Sequence, residues 1–347
     1  MTVNNRKKRI RLWWLPLACT LLLCSCGKSA YADYYTFKEK SKTVHENGVA
    51  DKEVLLTVDG YDVPYSELRY YLLSEAQRRG GTDDMSALDA QKWAEQTVVP
   101  NLLFSRAVAA IAEEHGVELT KEERKALTES IKQLREENGA EYERLLSEHY
   151  MTDRLYEFLA LQDQLTGKLL SYYTDEATSP VQASDQVIET CASNGELIHV
   201  KHILIRNDAG EDKSENLALA ERLLAELKNG ADFDALMREY SEDPGLQSEP
   251  NGYYIFHGEM SPAFEQAAFA LDEGQISGVV PVSADSYDGY HIILRQPIEE
   301  AFLSANINTL RSNYMTSCFY RDVEARTGSF HVEYTERFEQ LNFTGGF

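Results

Sequence analysis

Leu197-Ile198-His199-Val200-Lys201-His202-Ile203-Leu204-Ile205-Arg206 is the stretch on which the fold turns. Apolar residues at Ile198, Val200, Ile203 and Ile205 fall in an alternating run, which suits a strand and breaks with the helical periodicity before it. Downstream, Ser214 to Lys228 sets Leu217, Ala220, Leu224 and Leu227 on one helical face, and Gly230 ends the segment. Asp232 then caps a second helix carrying Phe233, Leu236 and Met237. After a loop from Ser241 to Asn251 comes a strand at Gly252–Phe256. Ser261-Pro262 starts a helix in cap-then-proline order, bearing Phe264, Ala268 and Phe269. Strands near Gly278–Val282 and Tyr290–Arg295 close the unit. The order β-α-α-β-α-β-β over residues 198–297 predicts a small α+β domain.

The flanks read differently. Glu53 to Asp59 predicts a strand broken by Gly60, and Pro64 starts a helix with Leu68, Leu72 and Leu73 on its apolar face. Helices follow over about 86–114, with Pro100 expected to kink or divide that one, and from Thr120, whose Glu123 completes a capping-box signature. Two more are expected at 141–150 and 152–173, then a connector with Pro180 and a short helix near 184–191. Residues 299–325 return to helix and Phe330–Tyr334 suggests a strand. A lone helix and strand cannot build a core, so 298–347 is expected to pack back on 51–197, making that module discontinuous.

Charge and the N-terminus narrow the function classes. The 347 residues carry 34 Lys and Arg against 57 Asp and Glu, a formal −23, which argues against a nucleic-acid partner. With 20 Tyr and 13 Phe the chain is too rich in aromatics to be disordered throughout. Arg6, Lys7, Lys8, Arg9 and Arg11 precede an apolar stretch from Leu12 to Leu23, which suits a signal peptide better than a membrane span. Leu23-Cys24-Ser25-Cys26 resembles a bacterial lipobox. Residues 1–25 are then a lipoprotein signal peptide, Cys26 is the lipidation site, and 26–50 is a tether. Such a chain sits on the extracytoplasmic face of the cell membrane, held by its N-terminal lipid because an acidic surface is repelled by anionic headgroups. Cys191 and Cys318 can pair or remain free thiols; both readings stand. Nothing in the cysteine and histidine spacing suggests a metal site, and no cofactor is expected.

Within 198–297, separated motifs occur in one order. They are Lys201-His202-Ile203-Leu204, Tyr240-Ser241-Glu242-Asp243-Pro244, Asn251-Gly252-Tyr253 and Gly258-Glu259-Met260. Then come Phe264-Glu265 with Ala267-Ala268-Phe269, Gly274-Gln275-Ile276-Ser277, and Gly289-Tyr290-His291-Ile292-Ile293. Together they resemble the parvulin (PpiC, rotamase) family of peptidyl-prolyl cis/trans isomerases. The resemblance implies a four-stranded antiparallel sheet with surrounding helices, inserted here into a mostly helical chaperone module. The lipobox, the helical flanks and the Val58-Asp59-Gly60 and Val63-Pro64-Tyr65-Ser66-Glu67-Leu68 segments are similar to PrsA-type foldases of Gram-positive bacteria and to the SurA-like chaperone region.

By motif, His202 and His291 match the facing histidines of the family. Asp243 matches its cysteine-or-aspartate position, and Met260 and Phe264 match the apolar pair that receives the proline ring. The chain departs from the pattern in reading Pro250-Asn251-Gly252-Tyr253-Tyr254-Ile255-Phe256 where Gly-Asp-Leu-Gly is usual, and in placing Asp288 at the polar position near the last histidine. The plainer readings are a core histidine for His202 and His291, a turn former for Asp243, and an ordinary helical contact for Met260 and Phe264.

The resemblance implies an isomerase and chaperone for unfolded or partly folded secreted polypeptides containing X-Pro bonds. It stabilises the twisted amide without covalent chemistry. The competing readings are a non-catalytic holdase using the domain as a peptide-binding module, and a structural or solute-binding lipoprotein. The domain holds 7 basic and 18 acidic residues, so a phosphorylated substrate is disfavoured. Homodimerisation is left open.

Overall fold

The computed structural model describes residues 31–82, 84–207, 213–284 and 287–344. The expected signal peptide, Cys26 and most of the acidic 207–213 loop lie outside the described residues.

In chain order the elements are α1 (Ala32–Tyr35), β1 (Val54–Val58), β2 (Tyr61–Pro64), α2 (Tyr65–Arg79), α3 (Ala87–Trp93), α4 (Val99–His115), α5 (Lys121–Asn138), α6 (Ala140–Glu148), α7 (Asp153–Thr174) and α8 (Asp185–Asn194). The second part holds β3 (Ile198–Arg206), α9 (Lys213–Lys228), α10 (Phe233–Tyr240), β4 (Tyr253–Ile255), α11 (Pro262–Phe269), β5 (Val280–Ala284) and β6 (Tyr287–Gln296). The chain returns through α12 (Glu300–Thr327), β7 (Val332–Tyr334) and α13 (Glu336–Glu339). The protein is a mixed α+β chain with an antiparallel four-stranded sheet, order β4-β3-β6-β5, and a second sheet, order β2-β1-β7.

Two local features depart from the sequence expectation, and a third, at Pro100, follows it. Residues 31–50 are packed, where a tether was expected from 26 to 50. Tyr34 and Tyr35 of α1 are buried among α4 and α7, and the Tyr34 hydroxyl accepts from Leu119 N at 3.1 Å. Tyrosine suits this placement because its ring buries a large area while the hydroxyl finds a partner. Gly60 does not merely break β1. Asp59 (φ 47°) and Gly60 (φ 80°) both sit at positive φ and close a two-residue hairpin into β2, the backbone such tight turns demand. Pro100 stands at the start of α4, directly after a π-helical turn at Ala94–Val98, so the divided helix absorbs its missing N–H there.

The helical module is held by packing and by one buried charge pair. α12 lies along α4 and α7, burying Phe319 and Val323 against Ala107, Ile111 and Leu165. Arg106 of α4 grips Glu67 of α2 through two bonds of 2.7 and 2.9 Å, both side chains fully buried. The bidentate geometry lets two charges survive away from water. Thr120 and Glu123 form the reciprocal capping box at the start of α5. β7 pairs antiparallel with β1, Leu56 opposite Tyr334.

In the four-stranded sheet β3 is buried on both faces. Ile198 and Val200 face Phe264, Ala268 and Ile293, while Ile203 and Ile205 face Leu223, Leu236 and Met237 of α9 and α10. His199 pairs with Gln296, so the two ends of the domain lie side by side. A ring stack of His199, Tyr254 and Phe302, with centroids 4.1 and 3.7 Å apart, joins the sheet to α12. Both His199 ring nitrogens meet backbone carbonyls, Pro297 O at 2.9 Å and Asn251 O at 2.8 Å. Cys191 and Cys318 are buried free thiols.

Candidate functional site

Side-chain alternation along β3 brings the two histidines together. His202 is opposite Ile293 and Leu204 is opposite His291, so both imidazoles leave the same face of the sheet as diagonal neighbours. Their rings lie edge to face, centroids 4.9 Å apart. Phe264 of α11 stands nearly perpendicular to both, at 5.4 and 5.1 Å.

Asp243 reaches this face because the segment before it is stitched to the end of β3. Leu204 N donates to Ser241 Oγ at 3.1 Å, Glu242 N donates to Leu204 O at 2.8 Å, and Arg206 N donates to Glu242 Oε2 at 2.6 Å. Asp243 then caps a short 3-10 turn, Pro244–Gln247, its Oδ1 accepting from Gly245 N at 3.0 Å. Its Oδ2 accepts from the Tyr253 hydroxyl at 2.6 Å and lies 3.4 Å from His202 Nε2. The turn-former reading of Asp243 is therefore also satisfied, by the other oxygen. Gly245 is required here, since a Cβ would meet the Tyr253 hydroxyl at 2.1 Å.

Burial works against ionising Asp243, but His202 and Tyr253 outweigh it and hold the carboxyl well below the usual carboxylate range. Burial, and then the Asp243 charge, push the Tyr253 phenol up, so it stays a donor. His291 is pushed down to about 3 by burial first and by His202 second, with Asp243 acting the other way. It is neutral at ordinary pH. Its Nε2 pairs with the Tyr287 hydroxyl at 2.8 Å, while neither His202 Nδ1 nor His291 Nδ1 has a partner.

His202, Asp243, His291, Met260 and Phe264 all line one cavity of about 310 Å³, together with Leu204, Arg206, Pro244, Tyr253, Ser261 and Tyr287. Phe264 is buried and Met260 half-buried at the wall. Two polar members escaped the sequence reading. Tyr253 was seen as part of a departure from the family pattern, and only the register of β4 shows its hydroxyl on Asp243. Tyr287, not Asp288, is the polar partner of His291. Asp288 instead pairs with Lys213, because strand alternation turns it away from the face that His291 shares with Gly289 and Tyr287. Among the described residues no three His, Cys, Asp or Glu side chains gather as metal ligands.

An apolar wall beside a hydrogen-bonded carboxylate and two facing imidazole rings suits recognition of a small apolar ring next to a polar amide. It offers no activated nucleophile. Residues 202–296 match the rotamase family described as the PPIC-type PPIase domain. The foldase protein PrsA of Caldanaerobacter subterraneus is 29% identical over 174 residues, covering 48% of this chain and 53% of its own. The chaperone SurA of Burkholderia thailandensis is 35% identical over 113 residues, 32% of this chain and 22% of its own. The peptidyl-prolyl cis-trans isomerase PIN4 of Gibberella zeae is 36% identical over 103 residues, 30% of this chain and 70% of its own. The chain thus spans about half the length of the PrsA relative and less of SurA, while it covers most of the small isomerase. Through the domain at residues 202–296 the chain belongs to the PPIC-type, or parvulin, peptidyl-prolyl isomerase family.

Proposed function

We propose that the protein is a peptidyl-prolyl isomerase and chaperone for unfolded polypeptides, working outside the cytoplasm from a lipid anchor at Cys26. The observation that carries the catalytic part is the convergence of His202, Asp243, His291, Met260 and Phe264 on one cavity of about 310 Å³. An X-Pro bond rotates over a barrier of about 20 kcal/mol and exchanges unassisted over tens to hundreds of seconds. Met260 and Phe264 hold the proline ring. In the planar amide the carbonyl oxygen carries negative charge, and twisting withdraws it. The Asp243 carboxylate beside that oxygen disfavours the planar state relative to the twisted one, which lowers the barrier. Tyr253 and His202 fix the carboxylate, and neutral His291 with Tyr287 completes a network that holds the local field in place.

The anchor rests on the basic, apolar and Leu23-Cys24-Ser25-Cys26 order of the N-terminus, a pattern that fits Gram-positive lipoproteins. Among the described residues no helix is long and apolar enough to cross a membrane. Cys26→Ser is expected to release the chain from the membrane fraction and to abolish labelling by a radioactive fatty acid.

The catalytic test is proline-limited refolding of a model protein by the full chain, with Asp243→Ala and His202→Ala beside it and their folding checked by circular dichroism. Wild type is expected to accelerate the slow phase, and folded Asp243→Ala to lose roughly tenfold or more of that rate. A wild-type chain that leaves the slow phase unchanged while suppressing aggregation would make the domain a peptide-binding module without isomerase activity.

A further inference from the structure

Between α1 and β1 the chain forms a strap, residues 36–52, that sorts its charges by direction. Lys38, Lys40, Lys42 and Lys52 are exposed, and none has an acidic partner among the described residues. The carboxylates turn inward instead. Glu39 accepts from Ser66 Oγ of α2 at 2.8 Å and from Thr152 Oγ1, at the start of α7, at 2.7 Å. Its other oxygen accepts from Lys40 N and Ser41 N. Asp51 is buried, 2.7 Å from the His45 ring, and accepts from Ser41 Oγ. Glu46 is the one acid of the strap that stays exposed. Successive side chains of an extended segment point to opposite sides, so Glu39 and Ser41 face the module while Lys38, Lys40 and Lys42 face water.

The strap is fixed in place. Tyr34 and Tyr35 of α1 are buried just before it, and Thr36 Oγ1 donates to Asp62 O. Val44 bridges Ala50, and Asp51 N donates to Thr43 O at 3.0 Å, a register that brings Lys52 back beside Lys42. Val44 is 61% exposed, an apolar tip on a cationic face. Toward α7 the strap borders a cleft of about 410 Å³. Lys38 and Lys40 are the cations left over there. Asp33 lies 3.8 Å from Arg124, and Glu157 is bound by Arg154 at 2.9 Å and Arg135 at 3.3 Å. In a chain of formal charge −23 this face is a local reversal of sign.

We propose that the strap is a docking surface for anionic lipid headgroups of the bilayer that holds Cys26, and that docking orients the helical module on the membrane. The proposal rests on the lipid-anchor reading and on covalent reach. Six residues lead from Cys26 to Ala32, so at roughly 3.6 Å each α1 begins no more than about 22 Å from the acylated residue. A negative leaflet attracts lysines that come within about a Debye length of it, and Val44 can enter the headgroup layer as they meet phosphates. The acidic remainder of the surface is repelled by the same leaflet. Attraction and repulsion therefore act in one sense, strap toward the membrane.

The test uses the full chain, acylated and reconstituted into vesicles, with an environment-sensitive dye attached through Val44→Cys. Quenching by a nitroxide at headgroup level is expected to be about threefold stronger with about 30% phosphatidylglycerol than in phosphatidylcholine alone. Lys38→Gln/Lys40→Gln/Lys42→Gln is expected to fall to the neutral-vesicle level with its circular dichroism unchanged. Salt at about 1 M, where the Debye length is about 3 Å, is expected to do the same to the unsubstituted strap. Equal quenching in the two vesicles overturns the proposal, as does quenching that the triple variant retains. Binding of soluble polyphosphate without any vesicle effect also overturns it and assigns the face to an anionic polymer. A chain that takes up no fatty acid fails at the anchor, and the proposal falls with it; an acylated chain that fails the vesicle comparison overturns the strap alone.

Discussion

Asp243 holds its proton less readily in the fold than in the unfolded chain, and so does His291. The unfolded state therefore binds more protons at acid pH, and stability falls as pH falls. For His291 the window opens near its ordinary 6.5 and runs to about 3, and Asp243 adds its loss below 3.8. Urea midpoints are expected to drop between pH 7 and pH 4, and His291→Asn to flatten the upper part of that slope. Identical slopes for wild type and variant would mean His291 is not held neutral by the fold. Tyr253→Phe leaves a carboxylate oxygen without its phenolic donor and is expected to cost about 1–3 kcal/mol of stability. Glu67→Gln tests a different chemistry, since it strands the fully buried Arg106 charge. A loss of about 3–5 kcal/mol is expected, and a loss under 1 kcal/mol would show that the pair is dispensable.

At the scale of the element, the 3-10 turn after Asp243 and the strand β4 act as one clamp. Gly245→Ala places a methyl against the Tyr253 hydroxyl, so it is expected to lower isomerase rate while far-ultraviolet dichroism stays native. A rate equal to wild type would mean that the Tyr253–Asp243 bond is irrelevant to turnover. What sequence made legible follows from this geometry. β3 was readable because the β-branched residues Ile198, Val200, Ile203 and Ile205 crowd it, burying both of its faces, and α5 because Thr120 and Glu123 stand at capping spacing. The histidines, Asp243, Met260 and Phe264 were readable as motif positions, and the sheet register gathers them. Tyr287 was not, because its role depends on β6 starting at that residue, three ahead of the apolar run that marks the strand. Tyr34 and Tyr35 were not either. Their segment has no periodicity of its own and is ordered by α4 and α7, from which it is distant in sequence.

At the scale of the molecule, the helical module is built from both ends of the chain and the parvulin domain from an unbroken middle. A chain ending at Pro297 loses Phe319, Val323 and Phe338 from two apolar clusters. Hydrogen exchange is expected to show unprotected amides in β1 and normal protection in β3 and β6; protected β1 amides would sink the idea of a discontinuous module. The residues that close the helical module, Thr335 and Leu55, are 280 positions apart. At a synthesis rate on the order of 10 residues per second, the N-terminal half waits roughly half a minute for its last strand. The parvulin domain ends with β6 at Gln296 and β7 begins at Val332, so at the same rate the domain is complete only about 4 seconds before the last strand. For those few seconds the nascent chain is an unfinished helical module joined to a finished domain. On the proposed function, the protein passes through the condition of its own clients each time it is made.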